Sequence, residues 1–137
     1  MSMTIIEFLE ARIAEDEKLA QDVPPGPWNS MTEETGDGEN IYYTVEAKGS
    51  YDYFADMADT GPQGRTTADY IARFDPVRIL AECAAKRAII EAHRRQDQYD
   101  DPMAWIVDSE ILLLNLAAVY RSHPDYDKEW DDELSVL

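Results

Sequence analysis

The sequence predicts an α+β fold that is mainly helical, with three long helices, shorter ones, and one antiparallel β-hairpin. Three observations predict it. Apolar residues recur at helical spacing in the first 20 residues, after Pro76, and again between Trp105 and Tyr120. Period-two alternation is confined to "NIYYTVEAKGSYDYFADMA", residues 40–58. Prolines and glycines punctuate the joins at 24–27, 75–76 and 123–124. The length of 137 residues fits one domain, 1–137. Within it we expect an N-terminal helix over 1–22, loops and a β-hairpin over 23–64, and a helical part with a short acidic tail over 65–137.

The N-terminal helix has Thr4 at its start and Glu7 three residues later, the pattern of a capping box. Ile5, Ile6, Leu9, Ile13 and Leu19 form its apolar side, while Glu15, Asp16, Glu17 and Lys18 fall on the solvent side. "VPPGP" ends it, because proline cannot continue a helix, and Trp28 folds back as an anchor. Residues 30–40 read as a polar surface loop. In the hairpin, Ile41, Tyr43, Val45 and Ala47 share a face with Tyr51, Tyr53, Ala55 and Met57. The other face carries Tyr42, Thr44, Glu46, Asp52, Phe54 and Asp56. A lone hairpin is marginal in water, so one face lies on helices.

Thr66 or Thr67 is expected to cap a short helix, "ADYIARF". Asp75 then caps a long helix that begins at Pro76 and runs to about Arg95; aspartate is a strong N-cap and proline suits the first helical position. Val77, Ile79, Leu80, Cys83, Ala84, Ile89 and Ile90 make a stripe wide enough for a central helix. The last long helix carries Trp105, Ile106, Leu112, Leu113, Leu116, Ala117 and Tyr120 inward and stops at His123-Pro124. Trp130 anchors the tail.

Charge narrows the function. There are 29 acidic and 12 basic residues, a net charge of −17. That disfavours DNA, RNA and anionic membranes as direct ligands. It suits a partner with a basic surface, or imitation of nucleic acid. Residues 70–96 are the exception: Arg73, Arg78, Lys86, Arg87, Arg94 and Arg95 outnumber Asp75, Glu82 and Glu91. Helix electrostatics and acidic neighbours account for much of this island, and no glycine-rich turn accompanies it. Cys83 is the single cysteine, and with no cationic, apolar N-terminal signal it points to a reducing cytoplasm. No apolar run approaches the roughly 20 residues of a membrane span.

No phosphate loop, zinc pattern or nucleophile elbow is present, so no catalytic residue, cofactor or metal is expected. His93 and His123 lie at predicted helix ends, where a histidine satisfies carbonyls; Cys83 acts as a small hydrophobe. A hydrolase or transferase working through either histidine is the enzymatic alternative. The expected site is instead a protein-binding surface of aromatic and acidic side chains: Tyr42, Glu46, Asp52, Phe54 and Asp56 on the hairpin, with Asp125 and Glu129 in the tail. Aromatic side chains are enriched at interface cores. The chain is read as a non-enzymatic acidic interaction protein. The alternatives are a nucleic-acid mimic that inhibits a DNA-binding host protein, and a virion or self-assembling component. A monomer is expected, or a homodimer formed by pairing the hairpin edges.

Three blocks, "EFLEARIAEDE" at 7–17, "YIARFDPVRILAECAAKRAIIEAH" at 70–93 and "LAAVYRSHPDYDKEW" at 116–130, follow one another with "GPW" at 26–28 between the first two. In that order they resemble a family of short uncharacterised proteins from actinobacteria and their phages, a domain of unknown function. The resemblance implies an actinobacterial host cytoplasm and a phage or prophage gene. It carries over no catalytic residue. The shared Asp75, Pro76, Ala85, Lys86, Arg87, His123, Pro124 and Trp130 read as cap, helix start, helix face, stop and anchor. Residues 30–64 are longer and richer in tyrosine than the resemblance implies.

Overall fold

Residues 3–47, 49, 53–98 and 108–135 are described by a computed structural model of the chain. Among them lie α1 (Ile5–Asp22), β1 (Trp28–Glu34), β2 (Ile41–Ala47), β3 (Tyr53–Asp56), α2 (Pro62–Arg73), α3 (Pro76–Gln98), α4 (Ser109–Ala118) and α5 (Glu129–Ser135). The fold is α+β, and its sheet has three antiparallel strands in the order β1-β2-β3. The chain divides into two compact units, Met1–Asp16 with Glu82–Leu137, and Glu17–Ala81.

The first unit is helical, and its core joins the two ends of the sequence. Thr4 Oγ1 accepts the Glu7 backbone N–H at 3.1 Å, so α1 has the expected cap. Phe8, Leu9 and Ile13 are fully buried. They share the core with Cys83, Ile90, Leu113, Leu114, Ala117, Tyr126 and Trp130. Phe8 is the hub. Its ring meets Trp130 at 5.1 Å, Tyr126 and His123 at 5.9 Å, and Tyr120 at 6.3 Å. The edge-on and tilted geometries are those that aromatic quadrupoles favour. Trp130 is thus the anchor of the tail.

The second unit is built on the sheet. Trp28 pairs with Ala47, Ser30 with Val45, Thr32 with Tyr43 and Glu34 with Ile41. The turn between these strands takes a left-handed residue, Gly38 at φ +73. Its N–H donates to the Thr35 carbonyl at 2.8 Å. Helix α2 lies against the face of Ser30, Thr32 and Tyr43: the Ser30 hydroxyl donates to Asp69, and Ser30, Thr32, Tyr43, Arg65 and Ala68 line a partly open cavity of about 90 Å³. Asp75 fastens this unit twice. One carboxylate oxygen accepts the Arg78 N–H at 3.0 Å, which caps α3, and the other accepts the Trp28 N–H at 3.1 Å.

Several expectations are corrected. The hairpin is two strands of a three-stranded sheet, because "WNSMTEE", read largely as loop, is β1. Helix α2 begins at Pro62 rather than at a threonine cap. Thr66 and Thr67 sit inside it, and their hydroxyls donate back to the carbonyls of Pro62 and Gln63. Helix α3 is less central than its apolar residues implied: Cys83 and Ile90 are buried, but Val77 and Ala84 are exposed. Leu19 is exposed, and Asp16 is half-buried because its carboxylate accepts the Tyr120 hydroxyl. Trp105 and Ile106, expected in the last long helix, lie outside the described residues, and α4 ends at Ala118.

Candidate functional site

Among the described residues, α2 packs one face of the sheet and leaves the other open. Strand register decides which side chains the open face displays. Asn29 stands opposite Glu46, Met31 opposite Thr44 and Glu33 opposite Tyr42. Across β2 and β3, Thr44 pairs with Asp56 and Glu46 with Tyr53. Partners in an antiparallel pair share a face. The open face therefore carries Met31, Glu33, Tyr42, Thr44, Glu46, Tyr53 and Asp56. Thr44 is fully buried at its centre, while Tyr53 and Met31 are 44% and 40% exposed.

A bulge explains why Tyr53 is here. The register shifts between Val45 and Glu46, so three residues of β3, Tyr53 to Ala55, span the positions opposite two of β2. Phe54 is the extra residue, as in a β-bulge. Its ring lies on Trp28, centroid to centroid 4.6 Å. Trp28 belongs to the face packed by α2, through its partner Ala47. Simple alternation had put Phe54 on the open face and Tyr53 on the packed one; the bulge reverses both.

Tyr42 and Tyr53 meet edge to face, 6.3 Å between centroids. The Tyr42 phenol is pushed above its ordinary value, first by burial, then by the neighbouring Tyr53, Glu33 and Asp56. The register sets Glu33 opposite Tyr42 and places Tyr53 and Asp56 on the neighbouring strand of the same face. Of the expected binding residues, Tyr42, Glu46 and Asp56 are brought together on this face. Phe54 lies against Trp28 instead and is 39% exposed there, and Asp52 lies outside the described residues. Asp125 and Glu129 belong to the other unit. Met31, Glu33 and Tyr53 were missed. Met31 and Glu33 lie on a strand not foreseen, and Tyr53 depends on the bulge.

In the other unit, Asp125 and Glu129 have local roles. The Asp125 N–H donates to His123 Nδ1 at 3.0 Å, and its carboxylate lies 3.6 Å from the Arg12 guanidinium. The Glu129 N–H donates to Asp127 Oδ1 at 3.0 Å and begins α5. Arg12 is buried, and its Nη1 lies 2.6 Å from His123 Nδ1. A guanidinium only donates, so this Nδ1 is an acceptor and the ring proton sits on Nε2. His123 therefore receives two N–H donors and does not cap carbonyls as expected. His93 Nδ1 lies 2.7 Å from the Ser109 hydroxyl. Tyr120 accepts from Lys86 at 2.9 Å and donates to Asp16 at 2.7 Å. The contacts of Arg12 with His123 and Asp125, and of Tyr120 with Asp16, join the first and last sequence blocks.

Among the described residues no three His, Cys, Asp or Glu side chains are grouped to hold a metal ion, and no helix is long and apolar enough to cross a membrane. A family model described as a family of unknown function (DUF6221) matches residues 2–132. No curated protein and no solved structure matches the chain.

Proposed function

The chain belongs to this family of unknown function, and from that premise we propose that it is a small acidic protein-binding module with no chemistry of its own. The context that the resemblance implies, a phage or prophage gene acting on a host or phage protein in an actinobacterial cytoplasm, is part of the proposal. One observation carries it: the open sheet face sets Tyr42, Tyr53 and Met31 among Glu33, Glu46 and Asp56. The exposed Tyr53 and half-buried Tyr42 supply area at little rotamer cost, Met31 adds an adaptable apolar contact, and the surrounding carboxylates select a partner with a basic surface. The net charge of −17 speeds encounter with such a partner.

The test is capture of basic proteins from a bacterial lysate, followed by affinity measurement on each purified partner. The variant pair Tyr42→Ala with Tyr53→Ala removes the rings. The triple Glu33→Gln, Glu46→Gln, Asp56→Asn removes the charge. Each hot-spot ring is worth more than about 1 kcal/mol, so the double alanine variant should bind at least tenfold more weakly. The triple variant should slow association and flatten its salt dependence. Unchanged affinity in both would refute the proposal. Displacement of the partner by duplex DNA would instead favour the nucleic-acid mimic, and assembly of the chain on a sizing column would favour the structural alternative.

A further inference from the structure

The basic island has an unspent part. Lys86 is used on Tyr120, Arg94 on Glu10 and Glu91, and Arg95 on Glu91. Arg73 is different. The carboxylate one helical turn before it, Asp69, accepts the Ser30 hydroxyl instead. Among the described residues no carboxylate pairs with Arg73, although the chain has 29 acidic side chains.

Arg73 lines a groove of about 520 Å³ with Thr66, Asp69, Tyr70, Phe74 and Arg78. The volume falls in the range of small-molecule sites. Its floor is aromatic: Tyr70 stacks on Phe74 with 4.7 Å between centroids, yet Tyr70 is 64% exposed. The Arg78 guanidinium lies over the Phe74 ring at 4.3 Å, which holds it flat. An exposed ring beside the Arg73 guanidinium is complementary to a molecule with a planar ring and an anionic group. Guanidinium forks match the oxygens of phosphate and carboxylate.

We propose that this groove binds a small planar anion of nucleoside-monophosphate size, its ring on Tyr70 and its anionic group on Arg73. Asp69, also in the wall, sets the anion at the arginine end and accepts from donors on the ring or sugar. Side chains alone hold the charge, with no glycine-rich turn to add backbone donors. Binding is therefore sensitive to salt. The inference is independent of the sheet face, whose chemistry has the opposite sign.

Titration of the full chain with AMP at low ionic strength, followed by calorimetry, tests it. Adenosine and inorganic phosphate serve as the two halves of the probe. AMP should bind saturably, and each half at least tenfold more weakly. Arg73→Gln and Tyr70→Ala should each weaken AMP about tenfold, the value of one charge-assisted hydrogen bond or one stacked base. Both side chains are exposed, so both variants should fold, which circular dichroism checks. Arg95→Gln, in a basic residue paired with Glu91, should leave binding unchanged. Absence of saturable binding, or AMP affinity unaltered by Arg73→Gln, would overturn the proposal, as would tighter binding of a poly-glutamate peptide to the same groove.

Discussion

Truncation of Phe8 to alanine tests the joining of the two chain ends. Phe8 is fully buried. Losing its apolar transfer costs roughly 1.5–3 kcal/mol, and the cavity that remains brings the total to roughly 3–5 kcal/mol. Phe8→Leu keeps most of the volume and should cost less than about 1.5 kcal/mol. Part of the loss is specific to Trp130, whose ring lies 5.1 Å away at a tilt of 59°. Such pairs contribute about 0.5–1.5 kcal/mol beyond their area. A double-mutant cycle of Phe8→Ala with Trp130→Ala should therefore show a coupling of about 1 kcal/mol. Amide hydrogen exchange at Leu9, Leu113 and Trp130 reads the stability of this unit alone, which matters because a chain with two compact units need not unfold in one step. A loss below about 1 kcal/mol for Phe8→Ala, with coupling near zero, would refute the role of Phe8 as hub.

Three further outcomes are expected. Asp75→Ala removes the α3 cap and strands the Trp28 N–H; urea unfolding should show a loss of roughly 2–4 kcal/mol, and Asp75→Asn a smaller one. Gly64→Ala should destabilise, although alanine is the better helix former by about 1 kcal/mol. A methyl group there overlaps the Asp59 carbonyl, and overpacking of this kind costs roughly 1–3 kcal/mol, readable as a fall in Tm. Burial, then the hydrogen bond and charge of Asp16, raise the Tyr120 phenol above its ordinary value. Its contribution to stability is complete below the unfolded value of about 10 and is lost as pH rises beyond it, because the unfolded chain releases that proton first. Ultraviolet titration should find Tyr120 absent from the early ionisation of the eight tyrosines; Tyr120→Phe should leave that early step at full amplitude.

The legible parts of the fold were those written in local chemistry. Thr4, Asp75 and Pro76 act within a few residues of themselves, so their caps could be read directly. The tail anchor Trp130 was readable because a large ring in an acidic tail has few other uses. Strand β1 was not readable: "WNSMTEE" is weak as a strand by itself, and its pairing with β2 defines it. Pro62 after Gly61 is a usable helix-start signal, and it outweighs the capping tendency of the threonines further on. Arg12 and Phe8 were missed for different reasons. A charged residue is rarely buried, and Arg12 is tolerated by its contacts with His123, Glu15 and the Phe8 ring. The Phe8 ring became the hub only through residues more than a hundred positions away. On the candidate site, Tyr42, Glu46 and Asp56 followed from alternation, whereas Tyr53 and Phe54 exchanged places because one extra residue breaks the period.

That extra residue gives the sheet a form of modularity. Side chains alternate with period two, so deleting Tyr53 would restore simple alternation in β3, with Phe54 opposite Glu46. A phenyl ring would then face solvent where a phenol does now, and Trp28 would lose its cover. Few single mutations change a surface so much: this one-residue deletion would replace the exposed phenol by a phenyl ring and uncover Trp28, with the sequences of β1, β2 and α2 unchanged. Length variation at this position is thus a short path to a different surface on the same scaffold.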